Sequence, residues 1–175
     1  MADLQGAVAL VTGGWRGIGR SVVDSLRGAG AQVCFTYLDG IEPLDQISAL
    51  CAADPMLSAL PLDLRDKTSI RACLDQVVQR FGGIDILVNN AGITGWVPFE
   101  EITDDAWDQM MAVNLRGPFI VIQEALEDMK AAKWGRIINI SSSSAQSGTA
   151  RMAHYSSSKG GVITLTRSLA LELSP

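Results

Sequence analysis

A short apolar run, Ala7-Val8-Ala9-Leu10-Val11-Thr12, leads at once into Gly13-Gly14-Trp15-Arg16-Gly17-Ile18-Gly19, and Arg20-Ser21-Val22-Val23-Asp24-Ser25-Leu26 follows with a helical pattern. No other stretch limits the fold as tightly. A buried strand that turns on glycines into a helix N-terminus makes an anion site. The glycines let the backbone approach a phosphate closely, and the first-turn N–H groups and the helix dipole point at it. Gly13, Gly17 and Gly19 follow the spacing Gly-x-x-x-Gly-x-Gly. This is neither the Gly-x-Gly-x-x-Gly fingerprint nor a phosphate loop ending in Gly-Lys-Ser/Thr. The same glycines could serve the geometry of the turn alone.

The rest of the chain repeats the strand-then-helix theme. Strands are expected over 7–12, 31–37, 56–60, 84–88 and 135–140. Helices are expected over 17–26, 43–52, from Asp66 to Phe81, from Asp104 to Lys130 and from Tyr155 to Leu173. Asp66 and Thr103 read as caps, and Gly82-Gly83 as a stop. The long helix carries Gly117-Pro118, and a proline there is expected to bend it. Residues 141–151 read as a loop. Such alternation predicts an α/β fold, a doubly wound parallel sheet with helices on both faces. Ligands of these sheets sit at the carboxyl ends of the strands, which here are Gly13, Tyr37, Asp63, Asn89 and Ser141.

Composition narrows the function. The 175 residues suggest one domain, and 47% hydrophobic with 19% charged residues is ordinary for a globular chain. The net charge of −5, without a lysine or arginine run, offers no footprint for nucleic acid. No apolar stretch reaches the length of a membrane span, and the N-terminus shows no signal-peptide pattern. Cys34, Cys51 and Cys73 are far apart, lack metal-like spacing and read as free thiols of a reducing compartment, so a cytoplasmic protein without a metal is expected. A histidine-based site would have to run through His154, the one histidine.

Tyr155-Ser156-Ser157-Ser158-Lys159 is the second informative stretch. Tyr155 and Lys159 are four apart and share a helix face. A free tyrosine titrates near pH 10, too high for a base near neutrality. A cation beside it favours the phenolate. The pair could therefore supply a general acid for carbonyl reduction, or a base for the reverse. The alternative is a core tyrosine and a solvated lysine.

Taken together, Thr-Gly-x-x-x-Gly-x-Gly after the first strand, Asn89-Asn90-Ala91-Gly92 after the fourth, the serines after the fifth and Tyr-x-x-x-Lys beyond them resemble the short-chain dehydrogenase/reductase family. Within it the chain looks most like the 3-oxoacyl-[acyl-carrier-protein] reductases. The resemblance implies a Rossmann-type fold and a nicotinamide cofactor. It implies Tyr155 as the catalytic tyrosine, and Lys159 as the lysine that binds the nicotinamide ribose and lowers the tyrosine pKa. It implies Ser142, thirteen residues ahead of Tyr155, as the serine bonded to the substrate oxygen, with Ser141, Ser143 and Ser144 as loop formers. Asn114 matches the asparagine behind a proton-relay water. Gly13, Trp15, Arg16, Gly17, Ile18 and Gly19 would form the pyrophosphate floor. Asn89, Asn90, Ala91 and Gly92 would hold the central sheet and the adenine ribose, and Asp63 and Leu64 would lie near the adenine. His154 is expected to be a neighbour only.

By analogy Tyr37 stands at the position that selects the cofactor. An acidic residue there would bind a ribose 2′-hydroxyl, whereas a basic neighbour suits a 2′-phosphate. Tyr37 is not acidic and Arg16 is basic, so NADP(H) is favoured over NAD(H), with Asp39 a possible interference. The family plan normally continues past residue 175 with further strands and a substrate-covering loop, so the single domain is expected to be incomplete at its C-terminus, with a bare sheet edge at the fifth strand. The implied activity is interconversion of a carbonyl and an alcohol, on a small-molecule substrate carried on acyl carrier protein or on a sugar, steroid or other small alcohol. A homotetramer is implied. The competing expectation is a non-catalytic dinucleotide-binding or interaction protein.

Overall fold

The structure, a computed structural model, describes residues 3–174. Its elements are β1 (Val8–Val11), α1 (Gly17–Gly28), β2 (Gln32–Tyr37), α2 (Leu44–Ala53), β3 (Leu57–Pro61), α3 (Lys67–Phe81), β4 (Ile86–Asn89), α4 (Asp104–Met111), α5 (Gly117–Ala132), β5 (Arg136–Asn139), α6 (Ser144–Ser147) and α7 (Ala153–Leu173). All strand pairings are parallel, in the order β3-β2-β1-β4-β5. The strand order reverses between β1 and β4, the switch point of a doubly wound, Rossmann-type sheet.

Strand alternation builds two cores. Val8 and Leu10 of β1 face one, with Cys34, Leu87 and the apolar stripes of α3 and α5. Ala9 and Val11 face the other, with Val23 of α1, Phe35 and Ile47 of α2. With helices on both sides, β1 is buried along its whole length, which is why it reads as a continuous apolar run. The predicted caps form: Asp66 accepts from the Thr68 N–H at 2.8 Å, and Thr103 from that of Ala106 at 3.2 Å. Gly82 ends α3 at φ 88°.

The helix expected to run unbroken from Asp104 to Lys130 does not. Residues Ala112–Arg116 form a π-helical turn between α4 and α5, and Pro118 falls in the first turn of α5. Proline has no N–H for a carbonyl four residues back. The Gly117 N–H instead reaches the Ala112 carbonyl, five back. Residues 141–151 are not all loop, since α6 lies within them, and the last helix begins at Ala153, ahead of Tyr155. β5 is an outer strand, and Ile138 on it is exposed.

All three cysteines are free. Burial pushes the Cys34 thiol up to about 11 and that of Cys73 to about 12, so both stay protonated near neutrality. No helix among the described residues is long and apolar enough to cross a membrane.

Candidate active site

The glycine turn is built at the switch point and tied to both neighbouring strands. On the β2 side the Gly13 N–H donates to Thr36 Oγ1 and the Gly14 N–H to the Thr36 carbonyl, each at 3.1 Å. On the β4 side Thr12 Oγ1 accepts the N–H groups of Asn90 and Ala91, at 3.0 and 3.1 Å. The Asn90 amide donates to the carbonyls of Thr12 and Gly13, both at 3.0 Å. Asn90 is thus spent on holding the turn. Two glycines answer to packing: a Cβ on Gly14 would fall 2.5 Å from the Phe35 Cβ, and one on Gly19 would fall 2.5 Å from the Asn90 amide nitrogen. Gly17 answers to backbone shape, with φ 57° and open space around it.

The turn fits a phosphate-bearing cofactor for a physical reason. Arg16 is the residue before α1, and its side chain makes no cap, so the first-turn N–H groups of α1 are left without a side-chain acceptor. Ile18 in that first turn is exposed, as is Arg16, whereas Trp15 packs partly against the α1–α2 core.

Two expected adenine-side residues are placed differently from each other. The Asp63 carboxylate folds onto Arg65, with Oδ2 2.6 Å from Nη2. Hydrogen bonding from the Arg65 guanidinium holds the Asp63 carboxyl below the usual carboxylate range. The Leu64 side chain is buried in the core against Gly117, where a Cβ would fall 2.7 Å from it. That burial leaves Leu64 only its backbone to offer a ligand. Tyr37, at the end of β2, packs partly against the α1–α2 core, and its carbonyl accepts the Leu62 N–H at 2.9 Å.

Across the switch point a second group converges. Asn114, in the π turn, is fully buried. Its Oδ1 accepts the Ile93 N–H at 2.8 Å, and its Nδ2 donates to the Ile93 carbonyl at 2.9 Å and to Ser158 Oγ at 3.1 Å. Ser158 Oγ donates in turn to the Tyr155 carbonyl at 2.7 Å. A side chain at Gly92 would meet Asn114 Oδ1 at 3.0 Å and Lys159 Nζ at 3.4 Å, so both groups press close to the Gly92 backbone.

Lys159 is 6% exposed, and among the described residues no carboxylate pairs with it. Burial alone pushes its ammonium below the ordinary lysine range. Its Nζ donates to the Ile140 carbonyl at 2.9 Å, while Ser141 Oγ donates to the Lys159 carbonyl, also at 2.9 Å. This reciprocal clasp fixes α7 to the end of β5. Tyr155 lies one helical turn before Lys159 and is half-buried. Ser142 Oγ sits 2.7 Å from Ser144 Oγ and also accepts the Ser144 N–H at 3.2 Å. His154 is buried under Gly95, with Nδ1 unpartnered.

Sequence reasoning left Thr12 and Ser158 without a role. Both stand inside quoted motifs, but their work is to pair with atoms far along the chain. Ser144 and Ser141, read as loop formers, instead orient Ser142 and clasp Lys159.

Known proteins bear on this arrangement. The profile of the short chain dehydrogenase family matches residues 7–175. A 3-oxoacyl-[acyl-carrier-protein] reductase FabG of Aquifex aeolicus is 40% identical over 98% of this chain and 70% of its own length. A sorbitol dehydrogenase of Cereibacter sphaeroides and a galactitol 2-dehydrogenase of Agrobacterium fabrum are each 36% identical, over 97% of this chain and 66% of theirs. The chain thus spans about two thirds of the length of the curated relatives it matches. A match that runs from residue 7 to residue 175, with a relative 40% identical over 98% of this chain, places the chain in the short-chain dehydrogenase family of oxidoreductases.

Proposed function

We propose that the protein is an NADP(H)-dependent oxidoreductase that interconverts a ketone and an alcohol, with a 3-oxoacyl thioester as the substrate class. The observation that carries the reading is the buried Lys159 ammonium, one turn from Tyr155 and close, with Asn114, to the Gly92 backbone. Burying a lysine without a carboxylate carries a desolvation cost, and groups perturbed in this way cluster at functional sites.

A bound nicotinamide supplies hydride exchange between its C4 and the substrate carbon. The chain does the rest. The Tyr155 hydroxyl gives a proton to the substrate oxygen in reduction and takes it back in oxidation. Lys159 sits one helical turn from that hydroxyl's residue on the same helix. Ser142 donates a hydrogen bond to the same oxygen, its hydroxyl held by Ser144. Asn114 fixes the Ile93 backbone and, through Ser158, the turn that carries Tyr155. The glycine turn and the uncapped start of α1 receive the pyrophosphate. Exposed Arg16 and the absence of an acid at Tyr37 support the phosphorylated cofactor.

The relatives support the substrate class through the reductase of A. aeolicus, whose name points to acyl carrier protein as the substrate's carrier, and a homo-oligomer is part of the proposal. The sorbitol and galactitol dehydrogenases support a second class, polyols. Mixing the protein with NADPH and an acetoacetyl thioester tests the first: loss of NADPH absorbance is expected. Turnover only with a polyol and NAD would move the assignment to that class. Cofactor binding with no turnover on either panel would favour a non-catalytic binding role.

A further inference from the structure

The loop after β2 brings a carboxylate to the glycine turn. Residues Leu38 to Glu42 fold back on themselves, with the N–H groups of Ile41 and Glu42 both directed to the Leu38 carbonyl, at 3.2 and 3.3 Å. Glu42 Oε2 accepts the Leu38 N–H at 2.7 Å, and Oε1 lies 3.4 Å from Arg16 Nε. The two partners differ in freedom. The Glu42 side chain is 14% exposed and tethered to its own backbone, whereas the Arg16 side chain is 78% exposed. Thr36 binds Gly13 and Gly14 to the end of β2, so the spacing between Arg16 and Glu42 is set by two anchored segments.

We propose that Glu42 is a specificity-determining residue: an internal anion that occupies Arg16 and supplies, from the far end of the loop, the carboxylate that is missing at Tyr37. The inference rests on the dinucleotide site proposed above. A ribose 2′-phosphate entering beside Arg16 carries close to two negative charges near neutrality. It meets the fixed Glu42 carboxylate and has to draw Arg16 away from it. A ribose 2′-hydroxyl carries no charge, so it neither repels the Glu42 carboxylate nor has to draw Arg16 away from it. Glu42 therefore shifts the balance toward the unphosphorylated cofactor, against the pull of Arg16.

Glu42→Gln tests this, because the amide oxygen can still accept the Leu38 N–H while the charge is gone. NADPH and NADH are titrated into wild type, Glu42→Gln, Arg16→Ala and the double variant, with nicotinamide fluorescence as the binding readout. Glu42→Gln is expected to raise the preference for NADPH over NADH by about three- to tenfold, the range of a partly exposed charge pair plus the relieved repulsion. The part of that gain that comes from freeing Arg16 should vanish when Arg16 is also absent, so the double variant should gain less than Glu42→Gln alone. A preference within twofold of wild type in Glu42→Gln would overturn the proposal. The cofactor reading is tested separately, by the wild-type preference and by Arg16→Ala. A wild type that prefers NADH but swings toward NADPH in Glu42→Gln sinks that reading and keeps this one. A wild type that prefers NADPH and is indifferent to Glu42→Gln does the reverse. Binding of neither cofactor by any variant overturns both.

Discussion

Asn114 answers both backbone groups of Ile93, accepting its N–H at 2.8 Å and donating to its carbonyl at 2.9 Å. The residues are 21 apart in the chain. One fully buried amide therefore does for the segment after β4 what a neighbouring strand would otherwise do.

Asn114→Leu keeps the bulk and removes every polar partner. Ile93 would keep two polar groups without their present partner, and Ser158 would lose its donor. Leaving a buried donor or acceptor unpaired costs about 1–3 kcal/mol each, so a loss of about 2–5 kcal/mol is expected. Urea unfolding monitored by circular dichroism measures it, and a loss below about 1 kcal/mol would show that the segment re-pairs elsewhere.

Tyr155→Phe removes one hydroxyl and leaves the helix, Lys159 and the glycine turn in place. On the proposed mechanism kcat falls by about 10²–10⁴, the usual contribution of a positioned acid or base. The NADPH dissociation constant should stay within about twofold. Unchanged turnover would reassign the proton donor.

Lys159 makes stability depend on pH in a direction that follows from its burial. Its folded pKa lies below the unfolded value of about 10.4, so the unfolded chain binds more protons between the two. Stability from this group is then present above the unfolded value and is lost as pH falls through the folded one. Lys159→Met removes the dependence. The unfolding free energy of wild type relative to Lys159→Met should rise as pH is raised from neutrality toward 10, and a flat difference would contradict the burial argument.

Two glycines of the turn separate by mechanism. Gly14→Ala forces a methyl into Phe35 and Val23 and is expected to cost about 1–3 kcal/mol as overpacking. Gly17→Ala meets nothing but has to hold φ near 57°, at about 1–2 kcal/mol. Thermal melts rank the stabilities. Cofactor titration should show Gly17→Ala as the larger loss of binding, since it alters the start of α1. An equal loss in both would mean that the turn moves as one piece.

The outline of the fold was legible because its signals are local. Alternating apolar runs, Asp66 and Thr103 as caps and Gly82 as a stop each act within one turn of chain, and each appears where the pattern put it. The break in the helix after Asp104 was not legible. A 3.6-residue period cannot report a carbonyl reached from five residues away, and Pro118 signalled a disturbance without its form. The serine run was equally opaque. Four identical residues carry no sign that Ser142 would face Ser144 while Ser141 reaches Lys159.

The parallel α/β sheet, the glycine turn at the end of β1 and the placing of Tyr155 and Lys159 one turn apart on one helix were readable from the chain alone. All of these follow from spacing along a single element or from the order of elements. It took the folded chain to show that Leu64 is core, that Asn114 is turned inward to Ile93 and Ser158, that Lys159 is buried against Ile140, and that Glu42 meets Arg16. Those contacts join residues that no local pattern links. Asn114 and Lys159 take theirs because a buried polar group is costly unless a partner satisfies it, and here the partners lie far along the chain.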